Sequence, residues 1–221
     1  MPINIAIDGP SGAGKSTIAK LVAADLHFTY IDTGAIYRAI GLFARRCGAD
    51  PTDGEKVTAL LPRIQIALRH EDGAQRVYLN GEDVSQEIRE HEISKYASSV
   101  SAIPEVRQFL LALQRDIAAR QDVIMDGRDI GTVVLPHADI KIFLTASTED
   151  RARRRFEELR QRGQSVDFDQ ILRDIAERDY NDSHRAVAPL RAAEDAVVID
   201  TTGNELEKSV AIIKKTIKDR L

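Results

Sequence analysis

The residues whose chemistry is easiest to recognise lie near the amino terminus, where Gly9–Ser16 reads G-P-S-G-A-G-K-S. This spacing matches the pattern G-x-x-x-x-G-K-[ST], in which glycines let backbone N–H groups close around phosphate oxygens. Lys15 is expected to reach the β- and γ-phosphates of a nucleoside triphosphate, and the Ser16 hydroxyl to ligate Mg²⁺. The alternative is a glycine-rich turn without a ligand. The predicted nucleotide contacts are Gly9, Pro10, Ser11, Gly12, Ala13, Gly14, Lys15, Ser16 and Thr17.

A second candidate for the metal is Asp126, which ends the apolar run Val123–Met125. A carboxylate at the end of a strand acts on Mg²⁺ in proteins that carry this type of loop. Ser16 and Asp126 are therefore the predicted metal ligands, and Lys15 and Asp126 are predicted to be catalytic. The alternative for Asp126 is a turn-forming role in front of Gly127.

Arginines are concentrated in one helical segment, as Arg151, Arg153, Arg154, Arg155, Arg160 and Arg162. Arg151, Arg154 and Arg155 fall at positions i, i+3 and i+4 and so share one face of a helix. Like charges this close repel each other, and a bound triphosphate would relieve the repulsion. We expect a lid that closes over ATP and excludes water, with these three arginines on the nucleotide. The alternative is a solvated basic face.

Another charged stripe is formed by Arg178, Asp182 and Arg185, at positions i, i+4 and i+7. An exposed stripe of alternating charge is usually a ladder of ion pairs within one helix, which contributes little to stability. The spacing alone leaves both a functional and a structural interpretation open.

Strand-like and helix-like segments alternate along the chain, which predicts an α/β fold with a five-stranded parallel sheet flanked by helices. The predicted strands are Ile3–Ile7, Phe28–Ile31, Val123–Met125, Ile140–Leu144 and Ala196–Ile199. Helical spacing of Ile18, Val22 and Leu26 predicts a helix directly after the glycine-rich loop. The last helix is predicted from a stripe of Leu206, Val210, Ile213, Ile217 and Leu221.

The rhythm changes between residues 63 and 84, where Ile64–Leu68 and Val77–Leu79 alternate with period two. Glu71–Gly73 is a turn signal, and Asn80-Gly81 is the strongest short hairpin signal. We therefore predict a small antiparallel sheet inserted into the parallel fold. A later helix is predicted to have Pro104 in its first turn and one face formed by Val106, Phe109, Leu110, Leu113 and Ile117.

Composition limits the partners. The 221 residues contain 31 Lys and Arg against 35 Asp and Glu, a net charge of −4, whereas nucleic-acid-binding proteins are usually basic. No apolar run is long enough to span a membrane. Cys47 is the single cysteine, which fits a reducing compartment. We expect a cytoplasmic monomer that acts on small molecules, with neither nucleic acid nor a membrane as partner.

The glycine-rich loop by itself does not distinguish a kinase from a GTPase or an ATP-driven regulator. A guanine-reading Asn-Lys-x-Asp element is missing, because each of the four asparagines is followed by a residue other than Lys. The interpretations that remain are a kinase for a small acceptor, such as UMP, some other monophosphate or shikimate, and, more remotely, a nucleotide-binding regulatory ATPase.

Four segments carry a resemblance that covers essentially the whole chain: Ile7–Thr17, Asp32–Arg38, Asp126–Val134 and Arg185–Leu190. In these segments and in their order, the chain resembles the bacterial-type cytidylate kinases, which are P-loop nucleoside monophosphate (NMP) kinases. The resemblance implies transfer of the γ-phosphoryl group of ATP to CMP or dCMP, with Mg²⁺ accompanying the ATP. It also implies an enlarged NMP-binding lobe that contains the antiparallel sheet.

The resemblance implies roles for individual residues on the acceptor side. The matching positions are Thr33, Tyr37, Arg38, Ser98, Arg107, Arg128, Asp129, Arg178, Asp182 and Arg185. Thr33 and Tyr37 match positions beside the cytosine, and Ser98 and Arg107 match positions that read the ring, with Asp129 also at the base. Arg38 and Arg128 match arginines that bind the acceptor phosphate. The stripe from Arg178 to Arg185 matches groups that hold the sugar or the phosphates. Arg128 and Arg178 thereby join the predicted catalytic residues.

These patterns divide the chain into three parts. Residues 1–34, 111–150 and 190–221 are predicted to form the P-loop core. Residues 35–110 are predicted to form the NMP-binding lobe with its antiparallel insert. Residues 151–189 are predicted to form a short helical lid with its flanking helices.

Overall fold

The structure is a computed structural model that describes residues 1–71, 74–161 and 163–221, apart from the side chain of His91. The predicted turn residues Asp72 and Gly73, and Arg162 of the arginine-rich segment, lie outside the described residues.

The secondary structure follows the predicted alternation. The strands are β1 (Asn4–Asp8), β2 (Thr29–Asp32), β3 (Ile66–Glu71), β4 (Ala74–Leu79), β5 (Glu82–Asp83), β6 (Val123–Gly127), β7 (Ile140–Thr145) and β8 (Val197–Asp200). The α-helices are α1 (Lys15–Leu26), α2 (Thr33–Arg46), α3 (Gly54–Leu60), α4 (His91–Val100), α5 (Pro104–Arg120), α6 (Thr148–Gln161), α7 (Phe168–His184) and α8 (Leu206–Lys218). Single 3₁₀ turns lie at Leu61–Arg63 and Glu87–Arg89, and a π-helical turn lies at Ile130–Val134.

The main sheet has the strand order β2-β6-β1-β7-β8, so the α/β prediction with a five-stranded parallel sheet is confirmed. Strand β1 is central and pairs in parallel with both β6 and β7. Both neighbours come from much later in the chain, so β1 is not adjacent to β2, the strand that follows it in sequence. The carboxyl end of such a strand is where α/β proteins bind ligands, and here it leads directly into the glycine-rich loop.

Helices α1 and α8 pack on this sheet through the predicted apolar faces. Ile18 and Val22 of α1 share one buried cluster with Val210, Ile213 and Ile217 of α8. The ends of the predicted last stripe differ from expectation: Leu206 is 42% exposed, and Leu221 is exposed beyond the end of α8. The helix therefore packs on the sheet from Val210 to Ile217, while Leu206 at its start does not.

The chain divides into two compact units: residues 1–30 with 121–221, and residues 31–120. The first unit contains the glycine-rich loop. The roles predicted for residues 35–110 and 151–189, an NMP-binding lobe and a lid, stay predictions. Among the described residues, none of the helices combines the length and the apolar character needed to cross a membrane.

The second unit contains the small antiparallel sheet, in the order β3-β4-β5. Asn80 and Gly81 both have positive φ, of 52° and 87°, which is the conformation of a type I′ turn and confirms the predicted hairpin between β4 and β5. Helix α5 begins at Pro104 as predicted, and Val106 and Leu110 are fully buried. Phe109, predicted on the same face, is instead exposed.

Helices α2 and α4 cross at Gly41. A Cβ atom at Gly41 would lie 2.9 Å from the Cβ of Tyr96 and 3.0 Å from the backbone nitrogen of Ala97. Around this crossing, Ile36 and Ile93 are fully buried in the core of the second unit.

We predict that Gly41→Ala lowers the free energy of unfolding by about 1–3 kcal/mol, because a methyl group there forces the two helices apart. The matched control is Gly54→Ala at the start of α3, where the nearest atom to a new Cβ is 4.0 Å away. That change should be neutral or stabilising by up to about 1 kcal/mol. Denaturant unfolding of both variants measures the difference, and equal stabilities would contradict the proposed crossing.

Candidate active site

The glycine-rich loop is shaped by close contacts with its own unit. Gly9 has φ of 147°, and a Cβ atom there would lie 1.9 Å from the carbonyl oxygen of Leu144 at the end of β7. Gly14, the residue before α1, has φ of 85°. Glycine is required at both positions because L side chains rarely adopt this backbone conformation. The amino end of α1, with its partial positive charge, follows directly.

Lys15 is the buried cation of this loop, only 6% exposed. Its Nζ donates to the carbonyl oxygen of Pro10 at 2.8 Å. Burial and the charge of Arg128 lower the pKa of Lys15 to about 7, against the attraction of Asp126. An ammonium group held this way lacks an anionic partner strong enough to restore its ordinary pKa, and a polyphosphate would supply one.

Ser16 and Asp126, the two predicted metal ligands, are in direct contact. The Ser16 hydroxyl donates to Asp126 Oδ2 at 2.7 Å. The hydroxyl of Tyr30, on β2, donates to Asp126 Oδ1 at 2.9 Å and is itself buried. Asp126 is therefore oriented by hydrogen bonds at both oxygens, which goes beyond the turn-forming role considered for it. The sequence analysis missed Tyr30, whose only signal is a phenol within an apolar strand.

Arg128 and Asp182 form a buried ion pair. Arg128 Nε donates to Asp182 Oδ2 at 2.8 Å. Burial opposes the charge on Arg128, but the attraction of Asp182 outweighs it and raises its pKa above the ordinary value. Burial likewise opposes ionisation of Asp182, but Arg128 and Arg178 together lower its pKa. Both groups are thus charged at neutral pH.

The charged stripe that begins on α7 makes its shorter ion pairs with another element rather than along the helix. Arg178 Nε lies 3.9 Å from Asp182, a longer separation than the 2.8 Å from Arg128 on another element. Arg185 is the first residue beyond the end of α7, not part of the helix as its spacing suggested. Its Nη2 lies 3.4 Å from Asp129 Oδ1. The stripe therefore pairs with the segment that follows β6.

Asp8 connects the end of β1 to that same segment, and the sequence analysis assigned it no role. Its Oδ1 accepts from the backbone N–H of Ile130 at 2.8 Å, and its Oδ2 accepts from that of Gly131 at 2.7 Å. Burial raises the pKa of Asp8 from 3.8 to about 6, although both backbone N–H groups and Lys15 oppose the rise. Between these values the folded chain binds more protons than the unfolded chain, so this carboxyl makes folding less favourable as pH rises.

The three arginines predicted on the ATP phosphates differ in their contacts. Arg151 is 4% exposed, and its guanidinium donates to the carbonyl oxygens of Ala146 and Ser11 and pairs with Asp179 at 2.6 Å. Arg154 donates to the carbonyl oxygen of Thr201 at 2.8 Å. Arg155 pairs with Glu158 on its own helix at 2.8 Å. Arg151 thus contacts the glycine-rich loop through the carbonyl oxygen of Ser11 and is itself buried. The helix face that the three arginines share is therefore only partly available to a ligand.

In the second unit, Thr33 and Tyr37 lie one turn apart on α2. Asp32 caps this helix, because its Oδ1 accepts from the backbone N–H of Ala35 at 2.9 Å. The other oxygen of Asp32 accepts from Arg38 Nη2 at 2.8 Å. Asp32 thus fixes both the start of the helix and one predicted phosphate-binding arginine, a role that the sequence analysis did not assign.

Ser98 and Arg107 are linked through Ser101. The hydroxyl of Ser101 donates to the carbonyl oxygen of Ser98 at 2.8 Å, and Arg107 Nη1 donates to that of Ser101 at 3.1 Å. The guanidinium of Arg107 also lies over the ring of Tyr37, 5.6 Å from its centroid. The structure therefore brings together Arg107 and Tyr37, two of the residues predicted around the acceptor base, and connects Ser98 to Arg107 through Ser101.

Comparisons of the whole chain with known proteins identify its family. The family model described as cytidylate kinase matches residues 5–219. The chain belongs to the cytidylate kinase family. It is accordingly a nucleoside monophosphate kinase, a phosphotransferase. A cytidylate kinase of Caldicellulosiruptor bescii is 52% identical over 99% of both chains. One from Streptococcus agalactiae serotype V is 50% identical, over 96% of this chain and 94% of its own.

Among solved structures, an uncharacterized protein from Eubacterium ventriosum matches the whole of both chains with a TM-score of 0.56 at 12% identity. A likeness at this identity shows the fold alone, which is the same α/β arrangement.

The lowered pKa of Lys15 predicts a proton linkage. At pH 8, binding of ATP in the absence of acceptor should take up about one proton, because the triphosphate restores the charge of a lysine whose pKa is about 7 in the free protein. The terminal phosphate, with a pKa of about 6, is already ionised there. Titration calorimetry in two buffers of different ionisation enthalpy measures the uptake.

The control for this linkage is Lys15→Arg, whose guanidinium stays charged throughout and should take up no proton. Wild-type binding without proton uptake, or equal uptake in both proteins, would show that Lys15 is not the group that titrates.

Proposed function

We propose that this chain transfers the γ-phosphoryl group of ATP to CMP or dCMP, giving ADP and CDP or dCDP, with Mg²⁺ bound to the nucleotide. The observation that carries the proposal is the buried Lys15 beside Ser16 and Asp126, at the glycine-rich loop of a chain whose whole length matches cytidylate kinases. Phosphoryl transfer needs aligned phosphates and neutralised charge more than covalent chemistry, and this site offers both.

On the donor side, the backbone of Gly9–Thr17 is proposed to hold the ATP phosphates, with Lys15 on the β- and γ-phosphates. Ser16 and Asp126 suit Mg²⁺, because both offer oxygen, the donor that this ion prefers, and they already lie 2.7 Å apart. The described residues contain no cluster of three His, Cys, Asp or Glu suited to a metal. Mg²⁺ needs none, since it commonly keeps waters and phosphate oxygens as its other ligands. When bound, it supplies charge neutralisation between the phosphates.

Among the arginines of α6, we assign different tasks from their contacts. Arg151 is proposed to position the loop, because its donors are taken by Ala146, Ser11 and Asp179. Arg154 and Arg155 are more exposed, and Arg155 pairs with Glu158, a neighbour on its own helix. An exposed pair of this kind contributes little, so Arg155 is readily exchanged onto a phosphate.

On the acceptor side, Arg128 is proposed to bind the monophosphate of CMP. Its Nε is fixed by Asp182, and a planar guanidinium presents its remaining donors to phosphate oxygens as a fork. Arg178 is proposed to add charge at the same phosphates, and Arg185 with Asp129 to hold the nucleoside. Asp182 is proposed as the shared anchor of these arginines and a contact for the sugar.

The second unit is proposed to recognise the base and the phosphate of the acceptor. Thr33, Ser98 and Arg107 offer hydroxyl and guanidinium groups suited to the polar edge of a pyrimidine, and Tyr37 offers a ring face. Arg38 is proposed as the phosphate ligand of this unit. A pocket that hydrogen-bonds a base edge rejects a base lacking the matching groups by a large factor.

The alternatives considered from the sequence have less support. A kinase for UMP, a different monophosphate or shikimate, and a regulatory ATPase are not favoured, because full-length relatives at about half identity are cytidylate kinases.

We predict that ADP release from Mg-ATP rises most with CMP and dCMP, by about a hundredfold or more over UMP, AMP, GMP and shikimate. A coupled assay of ADP release measures this, and chelation of Mg²⁺ with EDTA should abolish it. If another acceptor leads, the pocket roles proposed for Thr33, Ser98 and Arg107 are wrong. If no acceptor raises ADP release, the acceptor proposal as a whole fails.

We further predict that Arg128→Lys loses about tenfold or more in kcat/KM for CMP, because lysine cannot present two parallel donors to a phosphate. The matched control is Arg120→Lys on the exposed end of α5, where the arginine pairs with Asp116 on its own helix. That variant should keep wild-type activity. If Arg128→Lys keeps more than half of kcat/KM, a loss under about 0.5 kcal/mol, Arg128 does not bind the transferring phosphates.

A further inference from the structure

The segment that carries Arg128 and Asp129 is held at both ends by strand β1. At its start, Gly127 pairs with Asp8 in the parallel ladder between β1 and β6. At its end, the backbone N–H groups of Ile130 and Gly131 donate to the two carboxylate oxygens of Asp8, at 2.8 and 2.7 Å. One residue of β1 thus contacts this segment through both its backbone and its side chain.

These two hydrogen bonds give acceptors to the two backbone N–H groups at the start of a helical turn. Ile130 and Gly131 open the π-helical turn Ile130–Val134, and the first N–H groups of any helical turn lack partners within it. A cap from the neighbouring residue would be the ordinary solution, but Asp129 makes no side-chain cap. The cap comes instead from Asp8, across the sheet.

The burial of Asp8 makes this arrangement costly to the fold. The carboxyl is 5% exposed, close to the negative charge of Asp129, and the positive charge of Lys15 only partly compensates. On the other side, the stem of Lys141 lies 3.1 Å from where a Cβ of Gly131 would be, while its Nζ is bound by Asp195 and the carbonyl oxygen of Pro136. A neutral amide would avoid much of this cost, but it offers only one acceptor.

We propose that Asp8 is a positioning residue for the acceptor: its carboxylate holds the 127–131 segment so that Arg128 and Asp129 meet the acceptor nucleotide. This inference rests on the proposed function. The proposed role of Asp8 is indirect, because its two oxygens bind the backbone of the segment and no step of the proposal needs them to bind the substrate. Because Asp8 immediately precedes Gly9, it also joins the beginning of the phosphate loop to the acceptor-binding segment.

The test is Asp8→Asn, which keeps the shape of the side chain but points an NH₂ group at one of the two N–H donors. We expect the KM for CMP to rise about tenfold, the effect of leaving one buried N–H unsatisfied and displacing the segment. The Kd for ADP, measured by calorimetry without acceptor, should stay within about twofold of wild type, since the loop itself is intact. A variant that is merely less stable would not change the KM for CMP while leaving the Kd for ADP unchanged.

The matched control is Asp139→Asn. Asp139 accepts from the backbone N–H of Asn4 at 2.8 Å, so it makes the same type of bond to the same strand, at its opposite end. This variant should keep the wild-type KM for CMP, whatever its thermal stability.

A second variant, Gly131→Ala, approaches the contact from the other side: its methyl would lie 3.4 Å from Asp8 Oδ2 and closer to Lys141. It should raise the same KM.

The outcomes are separable. Wild-type turnover of CMP, measured first, decides the proposed function, and its absence overturns both proposals. With normal wild-type turnover, an unchanged KM for CMP in Asp8→Asn overturns the role of Asp8 alone. So does an equal weakening of ADP binding, or the same rise in KM for Asp139→Asn. If Asp8→Asn does not fold, Gly131→Ala decides: a wild-type KM there also overturns the proposal.

Discussion

Buried charge at the carboxyl end of β1 is the constraint on which the first unit depends. Removing an ion from water costs several kcal/mol unless it gains partners. The structure meets this cost for Arg128 with Asp182, for Asp126 with two hydroxyl groups, and for Asp8 with two backbone N–H groups. Lys15 is the exception: its bond to one carbonyl oxygen leaves its pKa lowered. The unit therefore holds a buried lysine whose charge its neighbours do not fully stabilise, which supports the proposal that it binds the ATP phosphates.

This view links the architecture to the chemistry. A parallel sheet with β1 at its centre brings the ends of three strands together, so that the loop after β1 and the segment after β6 become neighbours. Arginines on α6 and directly after α7 then make contacts that hold elements of the fold together. Arg151 ties the loop to α7 through Asp179, and Arg185 ties the end of α7 to Asp129.

Much of this was predictable wherever it depends on local sequence. The loop follows from glycine spacing, the hairpin from Asn80-Gly81, and the five strands from short apolar runs, because each is a preference of adjacent residues. Contacts between distant residues were not predictable in this way. Asp8 binds residues 122 and 123 positions away, Tyr30 reaches Asp126, and the burial of Arg151 has no local signal. Charge spacing indicated that the α6 arginines share a face, but not that one of them is enclosed by carbonyl oxygens.

The close crossing of α2 and α4 has a consequence for how this family member could change its acceptor. Thr33 and Tyr37 lie on α2 and Ser98 lies on α4, and the two helices touch where Gly41 has no side chain. The spacing between the residues proposed to recognise the base is therefore set by the volume at Gly41, which is not among them. A substitution there would act as a spacer, so this spacing can evolve separately from the hydrogen-bonding groups proposed to bind the base.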